Sequence, residues 1–251
     1  VRVAAIYDIH GNLPALEAVT SEIRQAGVDQ IVVGGDVFPG PMPRETIQYL
    51  RELEIPTRFI LGNGDREVLA RMRGEETPWY RTAQEQWREP VRWNAEQLGA
   101  EDEDLIASWP ATLNLKIPEL GDVLFCHATP RNDVEIFTRL TPEDRVLKTF
   151  ADADARVAIC GHTHMQFDRP VGGMRIVNAG SVGMPFGEAG AYWLSLGPGV
   201  ELRRTDYDIA KAAARIRETK YPQAEDFAAR NVLRPPSEVA MLEAFGRAEL
   251  R

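Results

Sequence analysis

The first 65 residues alternate between two hydrophobic periods, and this alternation narrows the fold more than any other feature of the chain. Val3–Tyr7, Ile31–Val33 and Thr57–Leu61 are short, largely β-branched apolar runs. Between the first two, Leu13, Leu16, Val19 and Ile23 recur every three or four residues. Asn12 is placed to cap that helix, Pro14 fits its first turn and Gly27 stops it. A stiff loop containing Pro39, Pro41 and Pro43 leads to a second helical stretch, Glu45–Leu53. Strand alternating with helix predicts a parallel sheet with helices on its faces. Each strand opens into a polar loop: Asp8-Ile9-His10-Gly11-Asn12, Gly34-Gly35-Asp36 and Gly62-Asn63-Gly64-Asp65. Open α/β sheets bind their ligands at such carboxyl ends.

The pattern changes after residue 65. The stretch 66–110 is charged, helical in pattern and holds four of the five tryptophans, Trp79, Trp87, Trp93 and Trp109. It predicts a helical insertion, with the tryptophans either gluing helices together or lining a lid. Thr112–Ile117 and Val123–Cys126 predict a hairpin around Pro118–Asp122, delivering His127. A helix over Pro142–Phe150 precedes the run Val157–Ile159, which ends in Cys160-Gly161-His162-Thr163-His164. Arg175–Asn178, Ala191–Leu196 and Val200–Arg204 predict three short strands of a second sheet or a sheet extension. Ile209–Arg217 is helical, and the tail after Tyr221 is helical in composition but broken by Pro235-Pro236. The expected organisation is one domain over 1–251, an insertion or lid at 66–110 and a C-terminal helical extension at 206–251.

Bulk properties exclude several classes. A net charge of −9 argues against a broad electrostatic grip on nucleic acid or anionic lipid. It leaves room for a small phosphorylated substrate, because bound metal reverses the local sign. No stretch approaches the roughly 20 apolar residues of a membrane helix. With a first strand where a leader would stand, the expected location is cytoplasmic. Cys126 and Cys160 each end an apolar run and are expected as buried, reduced thiols. A nucleotide-binding Rossmann reading is disfavoured, since no Gly-x-Gly-x-x-Gly follows the first strand.

The chain has four histidines, His10, His127, His162 and His164, and each lies just past an apolar run. Asp8, Asp36, Asn63 and Asp65 occupy matching positions. Collected at one sheet edge, these groups are too many for one metal ion and about right for two that share a carboxylate. Asp and His ligands without thiolate suit Mn, Fe or Zn.

In this order the motifs resemble the calcineurin-like metallophosphoesterase superfamily, in particular its small bacterial phosphodiesterase branch. The family's Asp-x-His, Gly-Asp, Gly-Asn-His-Asp/Glu, strand-end His and Gly-His-x-His stand here as Asp8-Ile9-His10, Gly35-Asp36, Gly62-Asn63-Gly64-Asp65, Cys126-His127 and Gly161-His162-Thr163-His164. Asn178-Ala179-Gly180-Ser181 resembles a further loop beside the site. The resemblance implies a four-layer α/β/β/α sandwich, two mixed sheets flanked by helices. It implies a first metal held by Asp8, His10 and His164, a second held by Asn63, His127 and His162, and Asp36 bridging them. Two divalent cations are implied, Mn foremost, with Fe, Zn, Ni or Co as alternatives. The implied reaction is phosphodiester hydrolysis by in-line attack of a hydroxide shared between them. Asp36, Asn63, His127 and Asp65 would form the catalytic centre, Asp65 by orienting the ligands. Asn12, Arg66 and Arg131 are candidate phosphate contacts, and the expected partner is a small phosphorylated substrate, with nucleotide-like compounds among the candidates. Gly64 departs from the pattern: the family often has a histidine there, credited with protonating the leaving oxygen. Its loss predicts slow turnover of alkyl phosphomonoesters and better rates on aryl or other activated diesters. The alternative is a metal-binding scaffold or regulatory protein with little turnover.

Overall fold

A computed structural model describes residues 1–250. Ten strands form two five-stranded mixed sheets. They are β1 (Val3–Ile6), β2 (Gln30–Val33), β3 (Thr57–Phe59), β4 (Thr112–Ile117), β5 (Gly121–Cys126), β6 (Val157–Cys160), β7 (Phe167–Val171), β8 (Met174–Asn178), β9 (Ala191–Leu196) and β10 (Val200–Thr205). The first sheet has the order β10-β9-β1-β2-β3 and the second β4-β5-β6-β8-β7. The pairs β1/β2, β2/β3, β5/β6 and β6/β8 are parallel, so the strand ends that carry the polar loops point the same way within each sheet.

The sheets pack face to face. Val3, Ala5 and Tyr7 from the first meet Val123, Phe125, Val157, Ile159 and Val177 from the second in one buried cluster. The alternate residues Ala4 and Ile6 face outward into a core shared with α1 (Leu13–Gln25), α2 (Pro43–Arg51) and the helices that follow. On the far side of the second sheet, Cys126, Ala158, Cys160 and Ile176 pack on Phe137 and, from α7 (Glu143–Phe150), on Val146 and Phe150. A strand covered on both faces needs apolar residues at every position, which is why β1 and β6 read as continuous runs rather than alternating ones. Both cysteines are free and buried, and burial pushes their thiols far up.

Between residues 63 and 107 lie α3 (Asn63–Met72), α4 (Pro78–Thr82), α5 (Glu85–Gln97) and α6 (Ala100–Ala107). The expected start at residue 66 falls inside α3, so the helix that carries Asn63 also begins this segment. The tryptophans fall into two groups. Trp109 is buried and stacks on Phe59 at 4.9 Å, and Trp93 packs edge-on against Tyr221. Trp79 and Trp87 stay exposed at 43% and 59% and face a cleft. The C-terminal part contains α8 (Ile209–Arg217), α9 (Ala224–Phe227), a π-helical stretch over Ala228–Leu233 and α10 (Glu238–Gly246). No helix of the described residues is long and apolar enough to cross a membrane.

The structure resolves the expected group of three late strands and adds one. Met174–Asn178 joins the second sheet, whereas β9 and β10 extend the first, with β9 antiparallel to β1. Strand β7 was not expected, because Pro170 interrupts its pattern. It is tolerated because β7 is an edge strand, where a missing ladder N–H faces no partner.

Candidate metal centre

The candidate site is assembled where the two sheets' strand ends meet. The loop after β1 continues its pairing beyond the strands: Asp8 N donates to Gly35 O at 3.0 Å, His10 N to Asp36 O at 2.9 Å and Gly11 N to Val37 O at 2.9 Å. The second sheet is tied across by His162 N, which donates to Asp8 Oδ2 at 2.9 Å. The loop after β8 returns to the first sheet: Val182 N donates to Tyr7 O at 2.9 Å and Ser181 Oγ to Asp8 O at 2.7 Å. Asn178 donates to Gly161 O at 2.6 Å and holds the His162–His164 loop from behind.

Two clusters result. Donor atoms of Asp8, His10 and His164 lie within 4.8 Å of one another, and so do those of Asp36, His127 and His162. Asp36 faces both, with Oδ2 3.8 Å from His10 Nε2 and 3.5 Å from His127 Nε2. Asn63 adjoins the second cluster: the inward atom of its amide stands 3.1 Å from His127 Nε2 and 3.0 Å from His162 Nδ1. Hydrogen bonding among these residues alone favours the amide NH2 at that position, which also lies 3.1 Å from Asp133 O; a cation held by Asn63 would need the oxygen there.

The tautomers follow from the main chain. His10 Nδ1 lies 3.1 Å from Pro39 O, His127 Nδ1 2.9 Å from Gly34 O and His164 Nδ1 2.7 Å from Met184 O. A carbonyl only accepts, so each Nδ1 carries a proton, and any of these rings that is neutral turns a bare Nε2 inward. The Nε2 atoms of His10 and His164 face each other at 3.4 Å, and with both rings neutral no proton lies between them. Burial disfavours charge on His164, yet Asp8 raises its imidazole above the usual range. Asp8 Oδ1, fully buried, has no hydrogen-bond partner and stands 3.4 Å from His164 Nε2. Orphaned acceptors converging in a buried place are the arrangement that a divalent cation satisfies, and nitrogen with oxygen donors and no thiolate fit Mn, Fe or Zn. The donor set therefore fits the metals that the motifs imply.

Electrostatics point the same way. Burial opposes ionising Asp8 and Asp36, yet the facing imidazoles outweigh it and hold both carboxyls below their usual range. Burial likewise disfavours charge on His127, but Asp36 and Asp8 push it up to about 10, so a positive charge is drawn to that nitrogen. His162, disfavoured by burial and by His127, falls to about 4.

Backbone strain is concentrated here. Six non-glycine residues among those described have positive φ, and five are Asp8, His10, Asp36, His162 and His164. Left-handed backbone at such residues costs of order 1–3 kcal/mol each and persists where the surroundings over-determine it.

The remaining expected residues separate. Asp65 is fully buried and accepts from Asp36 N at 2.8 Å, Gly62 N at 3.1 Å and Phe38 N at 3.0 Å, so it braces the loop that presents Asp36. Burial and the Asp36 carboxylate push it up to about 8 against the pull of those N–H donors. Arg66 lies on the cleft wall, held by Asp133 at 2.7 Å and Glu67 at 2.7 Å. Two expected phosphate contacts lie away from the cleft lining. Asn12 is fully buried: its Oδ1 caps α1 at Ala15 N and its Nδ2 donates to Gly183 O at 2.9 Å, leaving nothing for a ligand. Arg131 pairs with Glu135, and neither lines the cleft.

Gly64 is a glycine for steric reasons. Its N–H donates to Asp36 Oδ1 at 2.7 Å. A Cβ there would stand 2.3 Å from Phe38 O and 2.9 Å from Pro39 Cδ. The position cannot carry the histidine common at this motif without moving the main chain.

Sequence reasoning missed the cleft's outer parts. Phe186 stacks on His164 at 5.0 Å, and residues 221–236 form one wall. The pairings come from distant segments, and no local pattern marks them.

The family model for the calcineurin-like phosphoesterase superfamily domain matches residues 1–196. The chain belongs to the calcineurin-like phosphoesterase superfamily. A relative, "uncharacterized protein MJ0912" of Methanocaldococcus jannaschii, is 28% identical over 241 residues, covering 88% of this chain and 94% of that protein. The crystal structure of a metallophosphoesterase from Sphaerobacter thermophilus is similar with a TM-score of 0.68 at 27% identity, over 92% of this chain and 99% of that one. Hypothetical protein PH1004 from Pyrococcus horikoshii OT3 shares the fold at a TM-score of 0.76 and 21% identity, over 90% and 97% of the two chains. The two mixed sheets flanked by helices are those of the calcineurin-like fold.

Proposed function

We propose that the protein is a di-metal phosphoesterase that hydrolyses phosphodiester or activated phosphomonoester bonds. The observation that carries this reading is the set of three imidazoles, each locked by a main-chain carbonyl at Nδ1, turning Nε2 toward Asp8 and Asp36, beside a cleft that His10, Asp36 and Asn63 line. Asp8, His10 and His164 would hold one ion, and Asn63, His127 and His162 the other, with Asp36 facing both. Divalent cations bound there supply a water of lowered pKa and neutralise charge on the phosphoryl oxygens.

The chain's own residues do the positioning. The Nδ1 anchors keep the rings from rotating, and Asp65 holds the Asp36 main chain. Arg66, on the wall beside Asn63, is placed to meet a phosphate oxygen, and its ties to Asp133 and Glu67 fix the direction of its guanidinium. With Gly64 at the motif position and all four histidines among the candidate ligands, no imidazole is left as general acid. Leaving groups that depart without a proton, such as aryloxides, are therefore favoured. Gly64 is also the one observation that favours the second reading, a metal-binding scaffold or regulatory protein with little turnover.

Metal analysis combined with bis-p-nitrophenyl phosphate hydrolysis tests the proposal. Expected are two ions per chain after Mn loading, metal-dependent turnover, and a loss of at least ~10²-fold in His164→Ala or His127→Ala. Each variant should release its own ion first. Fewer than one ion per chain, or tight metal binding without turnover of any ester, refutes it, the latter in favour of the scaffold.

A further inference from the structure

The cleft above the candidate metals measures about 760 Å³, far more than a phosphate group fills. Its floor is His10, Asp36 and Asn63. One wall comes from α4 and α5, where Trp79 and Trp87 are left 43% and 59% exposed. A second wall is Tyr221, Phe227 and Asn231, from the C-terminal part, beyond the residues 1–196 that the family model matches. The walls touch where Gln223 Nε2 donates to Gln86 O at 2.6 Å. Amide and acidic side chains, among them Gln86, Asn231 and Asp226, stand along the aromatic surface. The two arginines of the lining are paired, Arg66 with Asp133 and Glu67 and Arg230 with Asp226 at 2.9 Å.

Large tryptophans left exposed in a concave site present π-faces on which a flat ring can stack, and amide groups beside them can read that ring's hydrogen-bonding edge. An apolar chain such as a lipid tail would leave those amides unpaired. A polymer threading past the site would meet the Gln86–Gln223 link. The geometry points to a specificity pocket for one nucleoside: the preferred substrate is a small phosphodiester whose non-leaving substituent is a nucleoside, its base stacked on Trp79 and Trp87. This deepens the phosphoesterase reading and rests on it for the position of the phosphate.

The test holds the leaving group constant. The metal-loaded full chain is assayed on three p-nitrophenyl diesters, with methyl, phenyl or thymidine 5′-yl as the other substituent. The thymidine ester should exceed both others in kcat/KM, by about tenfold over methyl. In Trp79→Ala/Trp87→Ala that preference should collapse, mainly through a higher KM. Separately, calorimetry should show thymidine 5′-monophosphate binding to the protein and weakening about tenfold in the double variant. Both tryptophans are surface-exposed, so unchanged thermal unfolding verifies that the variant folds; single variants serve if it does not. Equal rates for the phenyl and thymidine esters overturn the nucleoside assignment. Equal rates for all three, or a preference that survives loss of the tryptophans, overturn the pocket. Tryptophan-dependent nucleotide binding with no hydrolysis of any ester sinks the phosphoesterase reading and leaves the pocket standing.

Discussion

Restoring the histidine that the motif often carries is the obvious way to raise activity, and the structure predicts that it fails. At Gly64 the obstacle is the Cβ itself, which would lie 2.3 Å from Phe38 O, 2.9 Å from Pro39 Cδ and 3.1 Å from Asp36 Oδ1. The nearest of these is main chain, and it must retreat by about 0.7 Å merely to reach a 3.0 Å contact. Phe38 N is one of the donors held by Asp65, and Gly64 N donates to Asp36. Any retreat therefore pulls on the loop that presents Asp36. Overpacking of a well-fitted interior costs about 1–3 kcal/mol, and a main-chain obstacle belongs at the upper end. At about 3 kcal/mol, a chain of this length should lose roughly 6–12 °C in Tm. Because the Cβ carries the conflict, Gly64→Ala should show most of the loss, with Gly64→His at least as severe. Differential scanning calorimetry of both variants, together with metal content per chain, provides the measurement. Gly64→Ala within 0.5 kcal/mol (~1–2 °C) of the parent, or a Gly64→His variant that gains phosphomonoesterase activity, would refute the steric argument.

Two further predictions concern the same loops. Asp65→Asn puts an NH2 group against main-chain N–H donors whichever way the amide turns, since both carboxyl oxygens accept. A loss of about 1–3 kcal/mol in urea unfolding is expected, with weaker Mn retention, whereas an unchanged midpoint would show that those bonds contribute little. Divalent metal should raise Tm in proportion to the logarithm of its concentration. At 100 times Kd the gain is about 2.7 kcal/mol, or roughly 5–11 °C, and a chelator should reverse it. A Tm indifferent to Mn, Fe and Zn alike would mean that the clustered donors do not hold a cation.

The polar residues of the site were legible because of where they stand. Asp8, His10, Asp36, Asn63, His127, His162 and His164 each follow a strand or short apolar run, and parallel strands place their carboxyl ends on one edge. The rest was not local. Which ring nitrogen faces inward depends on Pro39, Gly34 and Met184 carbonyls that no spacing rule links to the histidines. Asn12 looked equally suited to capping a helix and to touching phosphate, and packing against Gly183 decided for the cap.

The sequence by itself determined a parallel sheet with helices on its faces and the identity of the polar loops, because both follow from short-range periodicity and from what parallel pairing does to strand ends; the two-sheet sandwich was expected only from the family resemblance of the motifs. Only the tertiary structure decided that β9 and β10 extend the first sheet, that Gly64 has no room for a side chain, and that residues 221–236 line the same cleft as Trp79 and Trp87. These outcomes depend on contacts between segments far apart in the chain, made by shape and hydrogen bonding rather than by local pattern, and a linear pattern carries no record of them.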